Sequence, residues 1–302
     1  MTLKATPALA ESEEAPRRSG SPSSLVPRLI TGVVIAAFAV TLILTVPVQL
    51  GFLVWLGAFF WASTEFVGIA QHLAPTAPLR WLWLFVPAAA TAGFLSLRGQ
   101  QDPVLPVMVA VGAVFAGALL AALACLLSRG VEARDAAVGM GILSFATPYF
   151  AVAPVAVYWL HAADRWLVFL LLAIVAIGDS MAYFAGRAFG RTPLAPRVSP
   201  NKTWEGSLAG FAGSVLAAAV WAQVRMGEIP LSLLALAAVT AVMAQLGDLV
   251  ESLVKRGAGV KDSSQILPGH GGLYDRLDAM LLAAPTFAIG LWLLGGSVVG
   301  LA

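Results

Sequence analysis

The chain carries 302 residues, 59% of them hydrophobic and only 11% charged, with a formal net charge of +2. A mean hydropathy of +0.87 excludes an ordinary soluble globular domain. Three histidines and one cysteine argue against a zinc centre, and the lone cysteine rules out an intramolecular disulfide.

Residues 1–28 are rich in Ala, Ser, Pro and Glu and lack periodic apolar positions, so they read as a disordered cytoplasmic tail. The tail is too long and polar to be the leading part of a cleaved signal. Beyond it, apolar runs of about 20 residues, each enough to cross roughly 30 Å of hydrocarbon as a helix, recur along the chain. Nine are predicted, at 29–46, 50–70, 79–97, 104–127, 136–160, 166–186, 206–224, 230–250 and 279–299. The expected fold class is an all-α polytopic integral membrane protein. Alternation from a cytoplasmic N-terminus leaves only Arg98, Arg165 and Arg225 of the 18 Lys and Arg residues outside, as the cytoplasmic excess of cations requires. The C-terminus is then external. Cys125, inside an apolar run, reads as a soft core filler.

Acids inside spans come next, because an ionisable group there is costly and is by default a functional candidate. Asp179 stands about 21 Å along the sixth helix from Arg165, near the inner leaflet. Asp248 holds the same position at the inner end of the eighth helix. Glu65 lies in the second span without a partner motif, and a paired structural acid and a functional one are equal readings.

Polar residues gather in two loops on the cytoplasmic face. The loop after the sixth span reads GRAFGRTPLAPRVSPNKTWEG, and its Ser199, Asn201, Lys202 and Thr203 are donors placed just before the seventh span. Arg187, Arg191 and Arg197 are better read as positive-inside anchors. The second tract covers 252–278 and carries three aspartates, four Lys or Arg residues and a histidine. Just before and within it, GDLVESLVKR puts Asp248, Glu251, Ser252 and Lys255 at i, i+3, i+4 and i+7, on one helical face. That order offers metal ligands first and a phosphate-binding ammonium nearer the cytosol. A solvated helix end with internal pairing is the plainer account, but Asp248 follows an apolar run and sits too deep for it.

After Arg256, GAGVKDSSQILPGHGG is irregular backbone, which is tolerated at a bilayer surface where it lines a polar cavity. The HGG triplet lets main-chain N–H groups approach an anion closely. LYDRLD then resumes a helix, with Asp275 and Asp278 on one face and Arg276 turned away from them. Such carboxylates make a hard-oxygen site suited to Mg²⁺. Gly178–Asp179 and Gly247–Asp248 each end an apolar run and each Asp precedes an Arg, an echo that duplication and coincidence explain equally.

The run S-L-V-K-R-x4-K-D-x-S-x2-L-P-x-H-G-G-L-x-D-R-L-D over 252–278 resembles the signature of the phosphatidate cytidylyltransferases, or CDP-diglyceride synthases. SPNKTWEG and the GDxxAYxxGRxxG run over 178–190 look like that family's motifs, in the same order and at similar spacing. The likeness covers 177–278 firmly and the remaining spans only by number and polarity.

The resemblance implies nucleotidyl transfer from CTP to phosphatidic acid in phospholipid biosynthesis, with Mg²⁺ as cofactor and a second cation left open. It divides the chain into a tail (1–28), N-terminal transmembrane helices (29–160) and a catalytic transmembrane region with cytoplasmic-face loops (161–302). Asp248 and Asp275 are the first metal ligands and, with Lys255 and Arg256, the catalytic group; Asp278 and Glu251 are further metal candidates. Lys255, Arg256, Lys261 and Arg276 would neutralise triphosphate or lipid phosphate, and Ser199, Asn201, Lys202 and Thr203 would hold the other. Ser252, Asp262, His270, Gly271 and Gly272 complete the substrate-binding set, with Asp179 as partner of a cation rather than a ligand.

The partners implied are CTP, phosphatidic acid and the bilayer of a bacterial inner membrane, with a homodimer left open and no nucleic acid. Two alternatives stand beside this reading. One is a CTP-dependent transferase for an isoprenoid lipid phosphate; the other, from a different class, is a lipid transporter, which would place its charges near the midplane on broken helices rather than at one boundary. A membrane scaffold would need no Gly-rich acidic and basic loop.

Overall fold

The computed structural model describes residues 25–97, 104–264, 266 and 271–295. Among them run nine helices: α1 (Leu25–Thr45), α2 (Val48–Ala70), α3 (Leu82–Leu97), α4 (Val104–Leu127), α5 (Ala133–Ala163), α6 (Arg165–Phe189), α7 (Trp204–Met226), α8 (Leu231–Gly257) and α9 (Tyr274–Leu293). A 3-10 turn at Leu79–Trp81 leads into α3. The fold is all-α and polytopic, as the composition requires. Seven of these segments are long and apolar enough to cross a membrane; α1 and α4 hold shorter apolar stretches, Gly32–Thr45 and Phe115–Leu127. Each of the nine predicted runs coincides with one helix. The tail up to residue 24 and the end of the last run, 296–299, lie outside the described residues.

Three boundaries differ from the sequence reading by five residues or more, each for a local reason. α8 continues past 250 to Gly257 because its polar last turns have partners on neighbouring elements. α9 begins at Tyr274 rather than 279, since Asp275 turns back to accept the Gly272 N–H (2.8 Å), a carboxylate near a helix start satisfying an otherwise orphan donor. It ends at Leu293, just before Gly295, which takes a left-handed φ of 70°. The loop between α6 and α7 is also more ordered than a loop: β1 (Pro193–Ala195) pairs antiparallel with β2 (Ser199–Thr203), Pro193 opposite Thr203 and Ala195 opposite Ser199.

α5 is the hub of the apolar core, packing on α2, α3, α4, α6 and α9. Where α2, α5 and α9 meet, three buried rings close a triangle: Phe66 to Phe150 at 5.3 Å, Phe150 to Tyr274 at 5.6 Å and Phe66 to Tyr274 at 5.9 Å between centroids. Edge-on aromatic contacts of this kind add to the area term and fix the rings' mutual orientation.

The polar contacts sort the helix ends onto two faces. On one, Thr76 between α2 and α3 donates through its N–H and hydroxyl to Asp135 at the start of α5, both at 2.8 Å. The hairpin before α7 meets the end of α8 on the same side as Leu73, which lies against Gly257. On the other face, Arg165 donates to the Leu44 carbonyl at the end of α1, and Asp164 pairs with Arg225 at the end of α7. The chain thus alternates end for end, and the two polar tracts share one end.

Small residues draw α6 and α7 together. A Cβ on Gly210 would stand 2.8 Å from the Gly178 carbonyl oxygen, and one on Gly206 would stand 2.7 Å from that of Ala182. Helices surrounded by lipid associate through such close backbone contact rather than through the hydrophobic effect. Gly210→Leu is therefore expected to lower stability by about 1–3 kcal/mol, as overpacking does. Gly141→Leu, at a position with nothing within 4 Å, is the control. Thermal unfolding of the detergent-solubilised proteins checks the pair.

Candidate active site

At the shared polar end, a cavity of about 1260 Å³ opens among α6, the β1–β2 hairpin, α7, α8, the tract after it and the first turn of α9. Its wall is assembled by short-range devices. The Thr203 hydroxyl accepts the Gly206 N–H (3.2 Å) and so caps α7. Glu205, one residue into that helix, turns back to accept from the Arg191 N–H (3.1 Å) and the Thr192 hydroxyl (2.9 Å). The SPNKTWEG stretch is thereby a hairpin arm welded to a helix start, and Lys202 on it reaches across to α8.

There the Lys202 ammonium meets Asp248 at 2.5 Å. Asp248, Glu251 and Asp278 each present a carboxylate oxygen, all within 4.8 Å of one another. Two helices contribute to this cluster, and Gly247 is why they can: a Cβ there would run into the Asp278 carbonyl and come within 3.1 Å of Ala279 Cα. Lys255, one turn beyond Glu251, bridges Glu251 (2.6 Å) and Asp275 (2.8 Å), with the side chains of Glu251 and Asp275 only 3% and 9% exposed. The other Asp275 oxygen accepts the N–H groups of Ser263 (3.2 Å) and Gly272 (2.8 Å). Both oxygens of Asp275 are thus committed, whereas the Asp248–Glu251–Asp278 group is the set with converging oxygens.

Most residues singled out from the sequence line this cavity. Asp179, Asn201, Lys202, Thr203, Asp248, Glu251 and Ser252 do so from α6, the hairpin and α8. Lys255, Lys261, Asp262, Gly271, Asp275, Arg276 and Asp278 do so from the end of α8, the following tract and α9. Arg276, expected on a different side of α9 from the acids, lines the same cavity as Asp275 and Asp278. Three residues are not brought to the wall. Arg256 points outward and donates to the Val198 and Val260 carbonyls, Ser199 pairs in the hairpin opposite Ala195, and Gly272 is buried behind Asp275. His270 lies outside the described residues.

Arg187, read from the sequence as an anchor, also lines the cavity, where it donates to the Tyr183 hydroxyl (3.1 Å), and one contributor, Gln245, had been passed over. Gln245 lines the cavity and exchanges hydrogen bonds with Ser207, whose carbonyl accepts its amide at 3.0 Å. It lies one turn before Asp248 on the same helical face, a spacing that marks it. Glu65 accepts from Ser263, Ser264, Leu273 and Tyr274. A smaller cavity of about 510 Å³, walled by Gln71, Pro75, Ala77, Pro78, Arg80 and Trp81, carries no acid.

A sequence profile described as the Cytidylyltransferase family matches residues 26–294. The chain belongs to the cytidylyltransferase family. Its curated relatives include the phosphatidate cytidylyltransferase of Haemophilus influenzae, 40% identical over 138 residues, covering 43% of this chain and 48% of the relative. Those of Pseudomonas aeruginosa (44% over 131 residues; 43% and 48%) and Mycobacterium leprae (41% over 155 residues; 50% and 48%) are similar. The matched part spans about half the length of these relatives. Three converging carboxylates could hold a metal ion, and several cations line the same cavity.

Removing Lys255 tests the charge network directly, since it leaves Glu251 and Asp275 buried without their shared partner. Lys255→Met is expected to destabilise the protein by about 3–5 kcal/mol. A melting temperature equal to wild type in thermal unfolding would show that the bridge is energetically idle.

Proposed function

We propose that the protein transfers the cytidylyl group of CTP to phosphatidic acid, giving CDP-diacylglycerol and pyrophosphate, with the polar end of the bundle facing the cytoplasm of a bacterial inner membrane. The observation that carries this reading is the cavity at the helix ends, where carboxylates of α8 and α9 stand against Lys202 and Lys255 in a chain of the cytidylyltransferase family. A soluble triphosphate reaches such a place from water and a lipid phosphate reaches it from the headgroup layer. The cytoplasmic orientation, nine crossings and an external C-terminus are supported by the three outside cations among 18.

In the reaction, a phosphate oxygen of the lipid attacks the α-phosphorus of CTP. The bond from that phosphorus to the bridging oxygen of the β-phosphate breaks, and pyrophosphate leaves with the electron pair. The nucleophile is already an anion, so no proton has to be removed. What remains is positioning and the neutralisation of two mutually repelling anions. Lys202, Lys261 and Arg276, which line the cavity, would pair with phosphates, and Asn201 and Ser252 would offer neutral polar contacts beside them. Lys255, clamped between Glu251 and Asp275, is a fixed positive charge in the wall.

The hard-oxygen set Asp248, Glu251 and Asp278 fits Mg²⁺, with no nitrogen or sulfur ligand among them. When bound, the ion would supply further neutralisation of the phosphate oxygens. Asp275 holds Lys255 and two backbone N–H groups, so its part in this reading is to position the lysine, and of the four metal candidates offered by the sequence Asp248, Glu251 and Asp278 form the ligand set.

Purified protein supplied with Mg²⁺, labelled CTP and phosphatidic acid should form labelled liponucleotide and release pyrophosphate in equal amounts. Chelation should stop this and Mg²⁺ restore it. No product with phosphatidic acid would sink the proposal, and product with a polyprenyl phosphate instead would move the chain to the isoprenoid reading. Asp248→Asn and Asp278→Asn should each lower turnover by at least about 100-fold while the protein stays folded. Lys202→Ala should raise the apparent KM for CTP or for phosphatidic acid about 10- to 100-fold, as loss of a charge-assisted contact does; an unchanged KM for both would remove it from binding.

A further inference from the structure

Glu65 lies in α2, outside both polar tracts, and is only 8% exposed. All its partners come from the other half of the chain, 198 to 209 residues away. Oε1 accepts the Ser264 hydroxyl (2.8 Å) and the Leu273 N–H (3.2 Å), while Oε2 accepts the Ser263 hydroxyl (3.0 Å) and the Tyr274 N–H (2.8 Å). Four donors on one carboxylate saturate it in the plane of its lone pairs.

Two of those donors are the N–H groups of Leu273, the N-cap residue, and Tyr274, the first residue of α9, and Leu273 itself supplies no side-chain cap. Glu65 therefore caps α9 in trans, with its negative charge against the positive end of the helix dipole. The other two donors are Ser263 and Ser264, which follow Lys261 and Asp262; of the two serines, Ser264 lines the cavity. Gly272 completes the knot, because a Cβ on it would overlap Ser263 Oγ and Glu65 Oε2. Below it, Phe66, the next residue of α2, packs edge-on against the ring of Tyr274.

We infer that Glu65 is a positioning residue of the cavity: by holding the start of α9 and the Ser263–Ser264 turn in one place, it sets where Asp278 stands against Asp248 and Glu251 and where Asp275 stands against Lys255. Asp278 lies one helical turn after the capped N–H of Tyr274, so a shift at the cap displaces the carboxylate by a similar amount. The inference rests on the proposed cytidylyl transfer for its kinetic consequence and on geometry alone for the clamp.

Glu65→Gln keeps the size of the side chain but turns an amide NH₂ toward two donors. In the purified, folded variant kcat is expected to fall about 100-fold, the cost of a misplacement of order 1 Å. The Mg²⁺ concentration for half-maximal activity is expected to rise about tenfold, as loss of an outer partner of a metal site does. Hydrogen exchange of peptides covering Leu273 and Tyr274 should speed up in parallel. Ser263→Ala, which removes one donor outside the cavity wall, should show the same changes more weakly and serves if Glu65→Gln does not fold. Unchanged exchange in either variant overturns the clamp. Faster exchange with wild-type kcat and wild-type Mg²⁺ dependence makes Glu65 a stability residue and overturns the positioning role. A wild type that forms no liponucleotide overturns the proposed function instead, and the exchange result still decides the clamp.

Discussion

Carboxylates at the edge of a hydrocarbon layer dominate this structure, because each must find donors or leave a charge uncompensated where solvation is poor. Four of them find donors on a different element from their own. Glu65 of α2 takes them from the tract before α9 and from α9 itself; Asp275 of α9 takes them from α8 and that tract; Asp248 of α8 takes Lys202 from the hairpin. Asp135 of α5 does the same with Thr76. The polar end of the bundle is therefore a set of knots, each centred on an acid and each tying two or three segments together.

This arrangement separates two tasks along the helix axes. The lower part of the bundle, with Phe59, Phe150 and Phe287 fully buried, is held by packing and small-residue contacts. The upper part is held by electrostatics, and an electrostatic assembly leaves room between its members that close packing would fill. A cavity of about 1260 Å³ is the result, walled by the same charges that hold it open. Stability and binding chemistry draw on one set of groups here: Lys255 keeps Glu251 and Asp275 tolerable when buried and is also a fixed cation facing whatever enters.

How much of this the sequence revealed depended on the range of the interaction responsible. Helical runs were legible because membrane burial of a backbone leaves few options and apolar length reports it directly. The grouping of Asp248, Glu251, Ser252 and Lys255 was legible because an i, i+3, i+4, i+7 pattern is local. The hairpin was not, since strands of three and five residues around Pro193 and Pro200 carry no alternation worth reading. Asp275 and Asp278 could not be told apart by helical spacing, which puts both on one face; only the position of Lys255, fixed by α8, decides that Asp275 is paired while Asp278 converges with Asp248 and Glu251. Arg256 and Lys255 are neighbours in sequence yet face opposite ways, one to the hairpin backbone and one to the acids. Glu65 was the least legible, because nothing near it in sequence announces partners 198 residues on.

The recurring Gly–Asp pair has a physical reading that needs no common ancestry of the two helix pairs. Gly178 on α6 and Gly247 on α8 each sit where the following helix comes closest: Ser214 of α7 would collide with a Cβ at the first, and the Asp278 carbonyl of α9 with a Cβ at the second. The residue after such a glycine is rotated about 100° round the helix, off the contact line and onto its flank. An aspartate there is carried onto the flank beside the tightly packed partner, at the rim of the cavity, as Asp179 and Asp248 are. Close backbone approach and delivery of a carboxylate are then one requirement met by two adjacent residues, and a bundle that must do this at two helix pairs will show the pair twice.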